Sequence, residues 1–203
     1  MTRTVGVLLF DQFELLDVFG PLEMLGMLDE DFTIRLVAEQ ARVVASAQGP
    51  LSVIDDLFAD ARAYDVLLVP GGMGTRREVE NEALLHWLAG AAGRAEIVAS
   101  VCTGSALLAK AGLLDGRSAT TNKNAFDWVV GKRPAVQWQR RARWVEDGKF
   151  FTSSGVSAGM DMALALIARL CGTERAHQVA HWAEYVWNAD SANDPFAAAA
   201  PHS

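Results

Sequence analysis

Glu96-Ile97-Val98-Ala99-Ser100-Val101-Cys102-Thr103-Gly104-Ser105-Ala106-Leu107-Leu108 carries a short apolar segment directly into a run of helix formers. The segment Ile97 to Val101 has the character of a strand covered on both faces, as in a parallel sheet. Ser105 to Ala111 is rich in Ala and Leu, which favour helix. The junction therefore puts Cys102 at the carboxyl end of a strand, the edge at which open α/β sheets bind ligands. Gly104 and Ser105 leave room for a tight turn there.

Outward from this junction the same grammar repeats. Val5 to Phe10, Ile34 to Ala38 and Val66 to Val69 are short apolar runs of the same kind. Leu84 to Ala92, Ala158 to Leu170 and Glu174 to Val186 place apolar residues at helical spacing. Strands that alternate with helices predict an α/β fold: a doubly wound, mostly parallel, flavodoxin-like sheet with helices on both faces. Ala142 to Ser154 reads differently. Two apolar segments there flank Glu146-Asp147-Gly148-Lys149, and the Asp-Gly pair suits a tight turn, so a β-hairpin is predicted. With 203 residues, one domain over 1–190 and a C-terminal tail over 191–203 are expected, the Ala-rich end from Ala197 being frayed.

A formal charge of −7 provides no general attraction for nucleic acid, so no nucleic-acid partner is expected. The local basic group of Lys132, Arg133, Arg140, Arg141 and Arg143 reads as a solvated hairpin edge. No apolar stretch approaches the roughly 20 residues of a membrane span, and the first apolar run is too short for a signal-peptide core. Two cysteines far apart suggest no disulfide framework, and a cytoplasmic location is expected. His177, His181 and Glu184 have metal-ligand spacing but read as helix-surface or interface residues, so no metal and no cofactor are expected. Five of the tryptophans, Trp128, Trp138, Trp144, Trp182 and Trp187, read as core or interface, and Cys171 reads as packing.

Chemistry concentrates in three places. Unpaired amides at the start of the helix after Cys102 favour an anion, so its thiol is expected to fall from about 8.5 toward the roughly 3.5 to 7.5 of activated cysteines. The strand Val66 to Val69 opens into Pro70-Gly71-Gly72, and the Gly72 amide, opposite that of Thr103, is a candidate oxyanion donor. Such a donor is worth about 2.7 to 4 kcal/mol elsewhere. Asp17 lies in the apolar Phe13-Glu14-Leu15-Leu16-Asp17-Val18-Phe19-Gly20-Pro21, where a carboxylate needs a partner or a proton. Two readings stand for it: an acid next to the thiol, or a cap for a helix that begins after Gly20-Pro21.

These blocks, together with Gly6 to Phe10 and Gly155-Val156-Ser157-Ala158-Gly159-Met160-Asp161, resemble the ThiJ/PfpI superfamily, related to class I glutamine amidotransferases, over residues 4–187. The pattern is most similar to the branch of isocyanide hydratases and the N-terminal domains of AraC-type regulators. The resemblance implies a doubly wound fold, a homodimer, and Cys102 as nucleophile with Asp17 as its acid/base partner. Many relatives carry a histidine after the paired threonines of Ala119-Thr120-Thr121; here the residue is Asn122, which removes a Cys/His dyad from that position. Lys123 and Asn124 read as solvent-exposed, with the pocket as the alternative.

The expected function is cofactor-free addition of water to a small electrophile, an isocyanide becoming an N-substituted formamide. The rivals are glyoxalase or deglycase activity on α-dicarbonyls, and a non-catalytic redox sensor in which Cys102 is oxidised to a sulfinic acid. Transcription regulation is disfavoured by length, because AraC-type relatives append a DNA-binding domain of about a hundred residues. Phe13, Met73, Asn122 and Val156 are expected to shape the pocket.

Overall fold

In a computed structural model, which describes residues 2–40 and 42–197, the elements follow the predicted alternation. In chain order they are β1 (Arg3–Leu8), α1 (Leu15–Gly26), β2 (Phe32–Ala38), β3 (Val43–Ala45), β4 (Leu51–Val53), β5 (Asp56–Leu57), β6 (Val66–Val69), α2 (Thr75–Glu78) and α3 (Glu82–Arg94). Then come β7 (Ile97–Ser100), α4 (Gly104–Lys110), β8 (Ser118–Ala119), α5 (Phe126–Val130), β9 (Gln137–Trp138), β10 (Trp144–Asp147), β11 (Phe150–Ser153), α6 (Ala158–Cys171) and α7 (Thr173–Trp182). The expected frayed end, apart from Ala197, lies outside the described residues.

The main sheet has the order β10-β11-β7-β6-β1-β2-β5. Every neighbouring pair is parallel except β10 and β11, which form the predicted hairpin, with Gly148 at φ 63° in its turn. All four side chains of β6 and of β7 are buried, as continuous apolar runs in a doubly covered sheet require. Helices α1, α6 and α7 pack as one group and α2, α3, α4 and α5 as another. From β1 the chain steps outward to β2 and returns on the opposite side of β1 as β6. The loops after β1 and β6 therefore diverge at a topological switch point, beside the loop after β7.

Helix α1 starts at Leu15, with Pro21 inside it, so the reading of Asp17 as the cap of a later helix does not hold. Proline removes one helical hydrogen bond, but Val18, Leu22 and Leu25 repeat on one face and are buried. Packing overrides the local preference. Helix α7 ends at Trp182, short of the expected Val186.

The basic group is not uniformly solvated. Arg143 is buried: its Nε donates to Asp161 Oδ2 at 2.6 Å, and Asp194 lies 3.8 Å from its Nη1. Asp161 also accepts from Tyr185 Oη and the Asn188 amide. Residues 191–194 lie against the segment that leads into β10: the Ser191 carbonyl accepts from the Arg143 amide at 2.8 Å, and the Asp194 amide donates to the Arg141 carbonyl. No helix among the described residues is long and apolar enough to cross a membrane.

Candidate active site

Cys102 has φ 58°, a left-handed conformation that a side-chain-bearing residue adopts only when its surroundings hold it there. The hold is visible. Its amide donates to Ser154 O at 3.2 Å, and its carbonyl accepts from Ser105 Oγ at 3.1 Å and Thr121 Oγ1 at 2.9 Å. Two glycines let neighbouring strands close on the turn. A Cβ on Gly104 would sit 2.2 Å from the Val69 carbonyl oxygen, and one on Gly71 would sit 2.6 Å from the Thr103 amide.

Cys102 lies at the base of a cavity of about 230 Å³. Glu14, Met73, Arg76, Asn122, Asn124 and Val156 form much of its wall, with Gly72, Thr103 and Ala125. Of the four residues expected to shape it, Met73, Asn122 and Val156 do so; Phe13 is fully buried. Larger cavities exist elsewhere, but none of them includes Cys102.

Helix α1 brings Asp17 to the sulfur. Asp17 is fully buried; its Oδ2 accepts from the Gly71 amide at 2.9 Å, while Oδ1 has no conventional hydrogen-bond partner among the described residues. Burial pushes its carboxyl up to about 7, helped by the charge of Glu14 and opposed by the Gly71 amide and the Cys102 thiol. The thiol moves opposite to the expectation from the helix terminus. Burial raises it, the Asp17 charge adds to this, and the Thr103 amide and Asn122 side chain pull it back only in part. Helix α4 has just seven residues, and a cysteine only 6% exposed has lost most of the water that would solvate a thiolate. At neutral pH the pair is thus a protonated thiol facing a carboxyl poised between its two forms.

Thr103 and Gly72 are brought together, but not in the expected arrangement. The Gly72 amide donates to Thr103 Oγ1 at 3.1 Å, and Thr75 Oγ1 donates to the same oxygen at 3.0 Å. The Gly72 donor is therefore engaged within the protein, because the Thr103 side chain fits beneath the glycine turn. The Thr103 amide remains directed at the sulfur.

Asn122, at the place of the absent histidine, has a carboxamide oxygen that accepts from the Ala125 amide at 3.0 Å. That bond orients its Nδ2 toward the sulfur and Gly155. It can donate to sulfur but cannot take a proton from it. Asn124 is exposed and lines the cavity. Lys123, expected in solvent, is buried, with Nζ donating to Ala142 O at 2.6 Å and Thr120 Oγ1 at 2.8 Å; burial lowers it to about 8. Its ammonium is taken up by the Ala142 carbonyl and the Thr120 hydroxyl, which a charge count along the sequence does not show.

Glu14 and Arg76 were not singled out by sequence reasoning. Arg76 sits in an ordinary charged context without a motif, and Glu14 entered only as part of the apolar stretch around Asp17. His177 stands edge-on to Trp187 with ring centres 5.3 Å apart, and among the described residues no three His, Cys, Asp or Glu side chains converge as a metal site. Cys102 and Cys171 are both free thiols.

The DJ-1/PfpI family model matches residues 3–169. An isonitrile hydratase of Pseudomonas putida is 37% identical over 187 residues, 91% of this chain and 79% of that protein. The HTH-type transcriptional regulator GbdR of Pseudomonas aeruginosa is 33% identical over 178 residues, and the match spans 48% of that protein. A crystal structure of a ThiJ/PfpI family protein from Pseudomonas syringae superposes with a TM-score of 0.84 at 32% identity, covering 91% of this chain and 76% of that one. Sheet order, the strained cysteine after β7 and these matches over nearly the same residues agree: the chain belongs to the DJ-1/PfpI family.

Proposed function

We propose that the protein is a cofactor-independent hydratase of isocyanides, with Cys102 as nucleophile and Asp17 as proton shuttle. The observation that carries this reading is the fully buried Asp17 carboxyl set against a strained thiol at the base of a cavity. The similarity to an isonitrile hydratase supports the choice of substrate.

The sulfur attacks the terminal isocyanide carbon as Asp17 takes the thiol proton; Asp17 then gives that proton to the same carbon, leaving a thioimidate, R–N=CH–S–Cys. Water adds to the thioimidate carbon, and Asp17 takes one of its protons and passes it to the nitrogen, the other staying on the new hydroxyl. Collapse breaks the C–S bond, releases R–NH–CHO and returns a proton to sulfur. The sum is one isocyanide and one water consumed for one formamide. The Thr103 amide and Asn122 Nδ2 hold the sulfur through the negative charge it carries in attack and departure. Asn122 takes no part in proton transfer, so Asp17 alone moves protons, consistent with a single titrating group poised near neutrality.

Cys102→Ala should abolish formamide production from an aryl isocyanide, followed by chromatography, with an unchanged far-UV spectrum. Hydration by that variant at the wild-type rate overturns the reading. Methylglyoxal assayed in parallel distinguishes a glyoxalase or deglycase. Mild peroxide followed by intact mass distinguishes a sensor, which gains two oxygens at Cys102 and turns over neither substrate.

We also propose a homodimer in the cytoplasm. Leu16 and Phe19 on α1, and Val43, Leu51 and Val53 on the β3–β4 arm, are exposed apolar side chains, the last two by 70% and 74%. Two free thiols suit a reducing compartment.

A further inference from the structure

The cavity above Cys102 has a cation on its wall. Arg76 lies on α2, and among the described residues no carboxylate forms a salt bridge with it, whereas its neighbour Arg77 pairs with both Asp11 and Glu78. Its guanidinium carbon stands 4.8 Å from the centre of the Trp128 ring on α5. Lys132 Nζ approaches the same ring at 5.2 Å and lies 3.9 Å from Glu80 Oε1. An aromatic face holds a guanidinium in place while leaving its edge N–H donors available, and that edge matches a carboxylate in a two-pronged hydrogen bond.

The rest of the wall limits what this cation can serve. Among the described residues Glu14 is the only acid that lines the cavity, and its Oε1 is engaged by Gln48 Nε2 at 2.7 Å in the β3–β4 turn. Asn122, Asn124 and Thr103 are neutral, and Met73, Ala125 and Val156 are apolar. A ligand seated on Cys102 thus meets one anchored acid and one cation with its hydrogen-bonding edge unclaimed by protein.

We propose that Arg76 is a specificity residue, selecting electrophiles that carry a carboxylate at the end away from the carbon attacked by Cys102. The inference rests on the reading of Cys102 as nucleophile but not on isocyanide hydration in particular. Arg76 is exposed, so water screens the pairing and its discrimination against a neutral analogue is modest and falls with salt.

Iodoacetate and iodoacetamide separate the two readings, since they differ only in carboxylate against amide. In both, the Cys102 sulfur bonds to the methylene carbon, iodide departs with the bonding pair, and the thiol proton passes to Asp17 or water. The expected result is an iodoacetate-to-iodoacetamide rate ratio that falls about tenfold in Arg76→Gln. The ratio is largely kept in Arg76→Lys, which retains charge, and in wild type it falls as sodium chloride is added. In turnover, 4-isocyanobenzoate should be favoured over its methyl ester, through KM, and Arg76→Gln should remove the preference.

An alkylation ratio indifferent to both Arg76→Gln and salt overturns the inference. If that ratio responds but neither isocyanide is hydrated, the hydratase reading fails and the role of Arg76 stands. If both isocyanides are hydrated with no dependence on Arg76, the role of Arg76 fails alone. A Cys102 that neither reagent alkylates ends both.

Discussion

At Asp17, the carboxyl titrates near 3.8 in the unfolded chain and at about 7 in the folded one. The folded protein therefore keeps this proton in a range where the unfolded chain has lost it. Its contribution to stability is fully present below about pH 4 and is lost as pH rises to about 7, with no further change above that. Asp17→Asn should remove this slope, so that urea denaturation at pH 5 and pH 8 gives similar stabilities in the variant and a clear loss at pH 8 in wild type. The same ionisation has the opposite sign for reactivity: alkylation of Cys102 by iodoacetamide should rise through about pH 7 in wild type, as the proton acceptor forms, and show no such step in Asp17→Asn. Asp17 was legible in the sequence because a carboxylate among Phe13, Leu15, Leu16, Val18 and Phe19 must find a partner. The direction of the Cys102 shift was not legible. It depends on how deeply neighbouring strands bury the sulfur, and no local pattern carries that depth.

Among the elements, β6 and β7 were readable nearly to the residue because continuous apolar runs have few alternatives. The start of α1 was not, because Gly20-Pro21 imitates a helix beginning and only the packing of Val18, Leu22 and Leu25 outweighs it. The hairpin β10–β11 was legible from its turn; what it does for α6 was not. Arg143 enters the hairpin and holds Asp161 on α6, just beyond the Val156 that lines the cavity. Val156 itself has φ 47°, so the loop between β11 and α6 is held in a strained form from its far end. Arg143→Met should leave Asp161 and Asp194 buried without their cation, at a cost of about 3 to 5 kcal/mol. For a domain of this size that is roughly 10 °C in thermal unfolding, measurable by calorimetry. A shift under about 2 °C would show that the ion pair contributes little beyond shape.

For the molecule as a whole, five exposed apolar side chains, Leu16, Phe19, Val43, Leu51 and Val53, fall on α1 and the β3–β4 arm, while Met73, Trp182, Val186 and Phe196 are exposed elsewhere. Sedimentation should find a dimer at micromolar concentration, and the double substitution Leu51→Glu, Val53→Glu should shift it to monomer. An unchanged dimer would place the contact elsewhere. The overall architecture was legible because alternation of strand and helix leaves few topologies. The surface was less so, since exposure of Leu51 or Val53 depends on a short arm standing away from the sheet. The sheet's two outer borders are also treated differently. On one side β5 is two residues long, too brief to template another chain. On the other, β10 is longer, and Ser191 and Asp194 occupy the backbone groups of the chain entering it. That segment acts as a selvedge at the start of β10: trimming it would bare the amides of Arg143 and Trp144 and the carbonyl of Arg141 to any other strand that came alongside.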